Sequence, residues 1–379
     1  MGRAASTTGR ISELWRDVVE HKKSGWGPKP AVAEERPIQS HVHSVSDFNP
    51  AQPPNALFGP HRRDRRGRNS VMLRYVKRAA CGVNVAAITP RREGPEADLA
   101  TLFDLIDFLC AAGVDGICLM GSTGEFLHFG LEERMRLVGL AIKRSRVPVL
   151  VGVGHSTFDG AVALARDALD AGAAALLVMP PYFFRYGQSD IREFYLGFAR
   201  ELNGGAPLIL YNIPQFSSEI EAGTAIELLA TGRFAGIKDS SGRWDDFVQL
   251  KAAREKHHFD LLVGNDAIYA RAREAGADGV ISGCACAVPE LLVAMDRAIR
   301  QGNAGAAARL DARLQEFIEW IQRFPAPVGV REAVALRGIK TGPHAVPLGE
   351  EAQARLPEFR EWFRGWLPAV IEESRHAQA

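Results

Sequence analysis

The sequence predicts an α/β protein, a TIM (β/α)8 barrel with a C-terminal helical extension. Three observations carry that prediction. Eight short apolar runs of strand length recur along the chain. Amphipathic stretches of helical period fill the intervals between them. Ala-Gly steps close several of those stretches just before the next strand (Ala112-Gly113, Ala171-Gly172, Ala275-Gly276), as helix C-caps do. Eight strands separated by helices is the barrel's count. A doubly wound sheet is the main rival, but no glycine-rich dinucleotide turn follows the first strand.

The predicted strands are Cys81–Ile88, Gly116–Met120, Pro148–Val153, Ala174–Met179, Pro207–Tyr211, Ala235–Lys238, Asp260–Val263 and Gly279–Ser282. Helices are predicted over Ala97–Ala112, Leu131–Arg144, Phe158–Ala171, Ser189–Leu202, Ala222–Ala230, Trp244–Lys256 and Ala267–Ala275. Beyond Pro289 the stretches Leu291–Arg300, Ala306–Phe324 and Glu350–Glu373 read as added helices. The domain boundaries expected are 1–71 for an N-terminal extension, 72–288 for the barrel and 289–379 for the helical part. Residues 1–71 are rich in Pro, Ser, His and Arg, with one weak helical patch near Ile11–Val19. They end in the basic run His61-Arg62-Arg63-Asp64-Arg65-Arg66-Gly67-Arg68. They read as a solvated tail, or as residues ahead of a true start at Met72. A basic arm for an acidic partner is the alternative.

Composition excludes several classes. The 379 residues carry a net charge of +1, so no global field favours nucleic acid or membrane. Apolar residues make up 46% and charged residues 24%, as in ordinary globular proteins. No apolar run is long enough to span a bilayer, and Glu13, Arg16, Asp17 and Glu20 interrupt any signal-peptide core. Cys81, Cys110, Cys118, Cys284 and Cys286 form no zinc-type spacing; they read as free thiols of a cytoplasmic protein. Cys284 and Cys286 are expected to alternate along a strand and share one face.

The chemistry lies at strand ends, where barrels of this type place their sites. Lys238 closes the sixth strand in Gly236-Ile237-Lys238-Asp239-Ser240-Ser241-Gly242. A lysine in a dry interior favours the neutral amine, the form that attacks a carbonyl. Tyr211 closes the fifth strand in Leu208-Ile209-Leu210-Tyr211-Asn212-Ile213-Pro214, within reach of its neighbour. A phenol there can shuttle protons. Gly121-Ser122-Thr123-Gly124-Glu125 follows the second strand, and its amides and two hydroxyls can hold a carboxylate. Alone, a strand-end lysine is a rim ion pair, a tyrosine a core-edge residue and Gly-x-x-Gly a turn. Together, at one end of one barrel, they suit an imine with a 2-keto acid, an electron sink for chemistry beyond C3. Asp239, on the opposite face of its strand, is a poor ion-pair partner for Lys238. His155 stands alone after the third strand and reads as a loop residue, so no metal site is expected.

These motifs, in this order from about Cys81 to about Leu348, resemble the family of dihydrodipicolinate synthase and N-acetylneuraminate lyase. The resemblance implies a class I pyruvate-type lyase that needs no cofactor and assembles as a homotetramer. It implies Lys238 as the Schiff-base lysine, Tyr211 as the proton-handling phenol, and Ser122 and Thr123 as carboxylate binders; Thr123 joins Lys238 and Tyr211 as a catalytic group. It places the Ile281 backbone carbonyl in the substrate pocket and gives Glu125 a structural role.

The departures bear on substrate. Where the synthases carry an arginine for the second substrate, this chain has Phe216. Where they send a tyrosine into the neighbouring subunit's site, it has Phe183, with Arg185 two residues on. The Asp-Glu pair of the sialic-acid lyases is reduced to Asp266 in Gly264-Asn265-Asp266-Ala267. The expectation is therefore reversible aldol cleavage, or dehydration, of a 2-keto-3-deoxy sugar acid or related hydroxy-oxo-acid. Asp239, Ser240 and Asp266 either bind its hydroxyls or cap loops and helices. The alternatives are a dihydrodipicolinate synthase with an altered second-substrate site, a non-catalytic keto-acid-binding protein and a metal-dependent aldolase.

Overall fold

The computed structural model describes residues 80–202 and 206–377; the N-terminal segment up to residue 79, including the expected 1–71 extension, lies outside the described residues. Eight parallel strands close on themselves in sequence order. They are β1 (Gly82–Ala86), β2 (Gly116–Leu119), β3 (Val149–Gly152), β4 (Ala175–Val178), β5 (Leu208–Asn212), β6 (Gly236–Asp239), β7 (Asp260–Val263) and β8 (Gly279–Ser282). Every strand residue is buried, as expected when helices cover the outside of a barrel and side chains fill its inside.

The outer helices are α1 (Leu99–Ala111), α2 (Leu131–Arg144), α3 (Phe158–Ala171), α4 (Gln188–Glu201), α5 (Ala222–Ala230), α6 (Trp244–Ala253), α7 (Tyr269–Glu274) and α8 (Pro289–Arg300). Their ends follow local chemistry. Asp98 caps α1 by accepting from the Thr101 amide, and Thr157 caps α3 by accepting from the Gly160 amide. Gly113, Gly172 and Gly276, the three glycines expected at helix ends, have φ of 81°, 98° and 106°, conformations that a side chain would strain. Helix α8 packs on β1 and α7 and completes the alternation, so the helices beyond the eightfold pattern begin after it.

The extension consists of α9 (Ala304–Ile321), α10 (Val328–Leu336) and α11 (Glu350–His376). An aromatic seam joins α9 to α11: Phe317 stacks on Trp366 at 5.7 Å and Trp320 on Trp362 at 5.2 Å. The Trp366 indole donates to Glu316 at 2.6 Å.

Three sequence expectations need correction. Cys284 and Cys286 lie on a single helical turn, Cys284–Cys286, because the chain turns sharply after β8. The predicted helix Ala267–Ala275 is a turn, Asp266–Ile268, followed by the short α7. Helix α10 had no counterpart in the sequence reading. It is buried on nearly all sides, so its residues show no apolar stripe to detect.

Candidate active site

Strand register brings the central pair together. Tyr211 on β5 pairs with Lys238 on β6. Both are buried, and the lysine Nζ lies 4.2 Å from the centroid of the tyrosine ring. The side chains of Lys238 and Asp239 diverge. The Asp239 carboxylate accepts from the Asn212 amide group at 2.8 Å, from the Ser241 hydroxyl at 2.8 Å and from the Ser241 backbone amide at 3.2 Å. Asp239 therefore organises the β5 and β6 loops rather than facing the cavity. Burial pushes its carboxyl above the ordinary range.

A cavity of about 240 Å³ opens over Lys238 at the C-terminal end of the barrel. Tyr211, Ser122, Thr123 and Ile281, all expected from sequence, line it. So do Ser240, Asn265 and Asp266. The Asp266 Oδ2 accepts from the Cys284 amide at 3.3 Å, while its buried Oδ1 has no hydrogen-bond partner among the described residues. Burial raises the Asp266 carboxyl above its usual range, with Ser282, Cys284 and the Lys238 charge pulling the other way. Burial likewise pushes the Cys118 thiol, near Lys238, up to about 11, and Cys284 well above its ordinary value; both are protonated at neutral pH.

Glycines make room for this arrangement. A Cβ on Gly264 would lie 2.6 Å from the Lys238 Cε and would also collide with the Ser240 hydroxyl. A side chain at this position would push the lysine and Ser240 out of their present places. A Cβ on Gly124 would lie 3.1 Å from the Ala87 carbonyl, so the turn that carries Ser122 and Thr123 packs directly on β1.

That turn is strained and firmly held. Met120 and Glu125, which flank it, have positive φ of 55° and 52°. The Glu125 amide donates to the Ser122 carbonyl at 3.0 Å, and the Thr89 hydroxyl donates to the Gly124 carbonyl at 2.8 Å. The Glu125 side chain meets Arg331 of α10 at 2.8 Å in a buried ion pair. Arg331 also donates to the carbonyls of Thr89 at 2.9 Å and Thr341 at 2.5 Å. Glu125 is thus structural, as the resemblance implied. Its partner was invisible in sequence because it comes from the helix that was missed. Ile318, Ile321 and Gln322 also line the cavity, from the end of α9; that helix is expected from sequence, but their i, i+3, i+4 spacing reads as ordinary core.

Phe216 lines the cavity and is 55% exposed. Phe183 lies outside it, 89% exposed, at a φ of 78° that is uncommon for a phenylalanine. Arg185 also points away from the cavity and donates to the carbonyls of Pro214, at 3.4 Å, and Ser217. His155 accepts from its own loop at the Thr157 amide, 3.1 Å away. Among the described residues one group could offer three metal-ligand atoms within 4.8 Å of one another: Cys81, Asp260 and Asp278. It sits at the opposite end of the barrel, where Asp278 accepts from Arg254 and the Leu261 amide. No described helix is long and apolar enough to cross a membrane.

The family model of the dihydrodipicolinate synthetase family matches residues 79–363. The 4-hydroxy-tetrahydrodipicolinate synthase of Methanoculleus marisnigri is 31% identical over 285 residues, 74% of this chain and 97% of that protein. Among solved structures, YagE of Escherichia coli K12 in complex with pyruvate superposes with a TM-score of 0.70 at 26% identity, covering 76% of this chain and 98% of YagE. The 2-keto 3-deoxygluconate aldolase of Picrophilus torridus gives 0.66 at 25% identity, covering 70% and 96%.

Proposed function

The chain belongs to the dihydrodipicolinate synthetase family, whose members are class I aldolase-type lyases and synthases, and from that premise we propose that it cleaves and forms 4-hydroxy-2-oxo acids through an imine on Lys238. The observation that carries this reading is the buried Lys238 amine against the Tyr211 ring, in a cavity shared with the Ser122–Thr123 turn.

The steps follow from the residues present. The Ser122–Thr123 turn holds the substrate carboxylate through its amides and hydroxyls, which sets the C2 carbonyl over Lys238. The neutral amine adds to C2; loss of water from the carbinolamine leaves the imine. Tyr211 carries protons to and from the departing oxygen, with Thr123 beside it. In the cleavage direction the C4 hydroxyl gives up its proton, the C3–C4 bond breaks and its electrons enter the imine as an enamine. An aldehyde leaves. Reprotonation at C3 and hydrolysis return a 2-keto acid and the free lysine. Ser240 and Asp266, which line the same cavity, bind the C4 hydroxyl in this reading. No step calls for a metal or a redox cofactor. The 2-keto-3-deoxy sugar acids are the polyhydroxylated members of this substrate class.

A second reading has its own support: the relatives matched at about 31% identity are named as dihydrodipicolinate-type synthases. Phe216 stands against it, because a phenyl ring offers no charge to a second substrate carboxylate. The deciding assay compares pyruvate release from 4-hydroxy-2-oxo acids with condensation of pyruvate and aspartate semialdehyde. The proposal requires the first to be faster. Faster turnover of the semialdehyde would replace it with the synthase reading, and pyruvate binding without any turnover would point to a binding protein. We further propose a homo-oligomer that covers the exposed Phe183–Phe184 pair; sedimentation at a monomer's mass would contradict this.

A further inference from the structure

Beside the cavity over Lys238 lies a second lobe of different character. This lobe, about 250 Å³, shares Ser122, Thr123, Ile213 and Phe216 with the first. The rest of its wall is largely Phe126, Leu127, Met179 and Tyr182. Resting on the imine reading above, we propose that the substituent on C4 of the substrate is an apolar group, of aryl size, seated in this lobe. The C4 hydroxyl itself faces the polar wall of Ser240 and Asp266.

Four features carry the assignment. The first is size: a dry apolar cavity of roughly 150 Å³ is enough for benzene, and this lobe exceeds it.

The second is how few polar groups the lobe adds to the Ser122–Thr123 turn, which the substrate carboxylate occupies. Glu125 reaches the lobe but is committed to Arg331. The Tyr182 phenol, raised above its usual range by burial, is already hydrogen-bonded to Ser156. His128 stands at the exposed edge. A polyol tail would lose water without finding a hydrogen-bonding partner for each hydroxyl, and one unmatched hydroxyl in an apolar pocket is disfavoured roughly 10²-fold.

The third is rigidity. Phe126 packs edge-on to Tyr182 at 6.0 Å, and the Arg134 guanidinium backs the Phe126 ring at 5.0 Å. Arg134 is itself pinned by the Gly154 carbonyl at 2.8 Å and the Gly152 carbonyl at 3.2 Å. The aromatic wall is therefore held from behind rather than free to collapse into the space.

The fourth is the rim. Leu127 is 62% exposed and Phe216 is 55% exposed, two large apolar side chains left in water at the mouth of a pocket. An apolar ligand would cover both.

The test uses three substrates that share carbons 1–4 and differ only in the tail: 4-hydroxy-2-oxo-4-phenylbutanoate, 4-hydroxy-2-oxopentanoate and 2-keto-3-deoxygluconate. Pyruvate release from the full chain gives kcat/KM for each. The proposal expects the phenyl substrate to exceed the polyol by at least tenfold, with the methyl compound between them. In Phe216→Gln and Leu127→Gln, at positions too exposed to threaten folding, the phenyl-to-methyl ratio falls toward one. A polyol preference, or a ratio that neither variant moves, overturns the proposal. Borohydride trapping with pyruvate on the same preparation separates the two layers. An adduct on Lys238 without phenyl preference sinks the tail assignment alone, whereas no adduct sinks the imine reading and the tail assignment with it.

Discussion

The two ends of the barrel are built from similar residues and treat their charges differently. At the N-terminal end, Asp115, Asp278 and Asp296 each meet backbone amides or cationic side chains. Asp115 accepts from the Val83 amide at 2.8 Å, and Asp278 accepts from the Leu261 amide at 2.9 Å and from Arg254 at 3.0 Å. Asp296 on α8 accepts from the Tyr269 hydroxyl at 2.7 Å and from Arg273 at 2.7 Å, and lies in an ion pair with Arg300 at 2.8 Å. At the C-terminal end, Lys238 faces an aromatic ring, one oxygen of Asp266 has no hydrogen-bond partner among the described residues and two residues beside the Ser122–Thr123 turn sit at positive φ. Bonds left unmade there are what a substrate can complete. The contrast assigns stability to one end and chemistry to the other.

The largest effect that would sharpen this contrast is at Tyr211. Tyr211→Phe keeps the ring against Lys238 and removes only the hydroxyl proposed to carry the proton, so kcat should fall by about 10² to 10⁴-fold with the melting temperature nearly unchanged. Steady-state kinetics beside a thermal melt check it, and a variant that keeps its kcat would show that another group moves the proton.

Next comes Gly264→Ala. Its new Cβ would meet the Lys238 Cε at 2.6 Å and force the amine aside. A displacement of that order costs roughly 10²-fold in kcat/KM. Stopped-flow measurement of imine formation with pyruvate should show the loss in that step; an unchanged rate would mean that the lysine has another path.

At the other end the effect should move to stability. Asp296→Ala leaves Arg273 and Tyr269 without their buried acceptor and should cost about 3 kcal/mol, with the imine still formed at its normal rate. Denaturant titration together with the trapping assay reads both quantities, and a variant that lost chemistry but not stability would break the comparison.

The smallest effect is a pH signature at Asp266. Its folded carboxyl titrates above the ordinary value, so between the unfolded value of 3.8 and the raised folded one the unfolded chain binds fewer protons. Its contribution is therefore favourable at low pH and is lost as pH rises through that window. Asp266→Asn should gain melting temperature relative to the wild type at pH 7 and lose that gain near pH 3.5. The opposite sign would place a stabilising partner on the carboxylate.

Much of this was legible in sequence because strand chemistry is local. Lys238 and Tyr211 each close an apolar run, and parallel pairing of neighbouring strands was enough to bring them together. The Ser122–Thr123 turn was readable from its flanking glycines, and Gly113, Gly172 and Gly276 from their position at helix ends. What escaped came from elsewhere in the chain. Arg331 holds the Ser122–Thr123 turn from a helix whose burial on nearly all sides erases any periodic stripe. Ile318, Ile321 and Gln322 reach the cavity from α9, and nothing in their spacing separates a cavity wall from a core face. The lobe between Phe126 and Phe216 is likewise a product of four separate chain segments packing together. Asp239 was an ambiguous candidate whose role only its partners, Asn212 and Ser241, decide.

The central claim is that Lys238 forms the imine, and borohydride trapping with pyruvate tests it most directly. Intact mass followed by peptide mapping should show a single reduced pyruvate adduct, on Lys238, and none in Lys238→Ala. A folded wild-type protein that gives no adduct, or an adduct that persists in Lys238→Ala, would contradict the account.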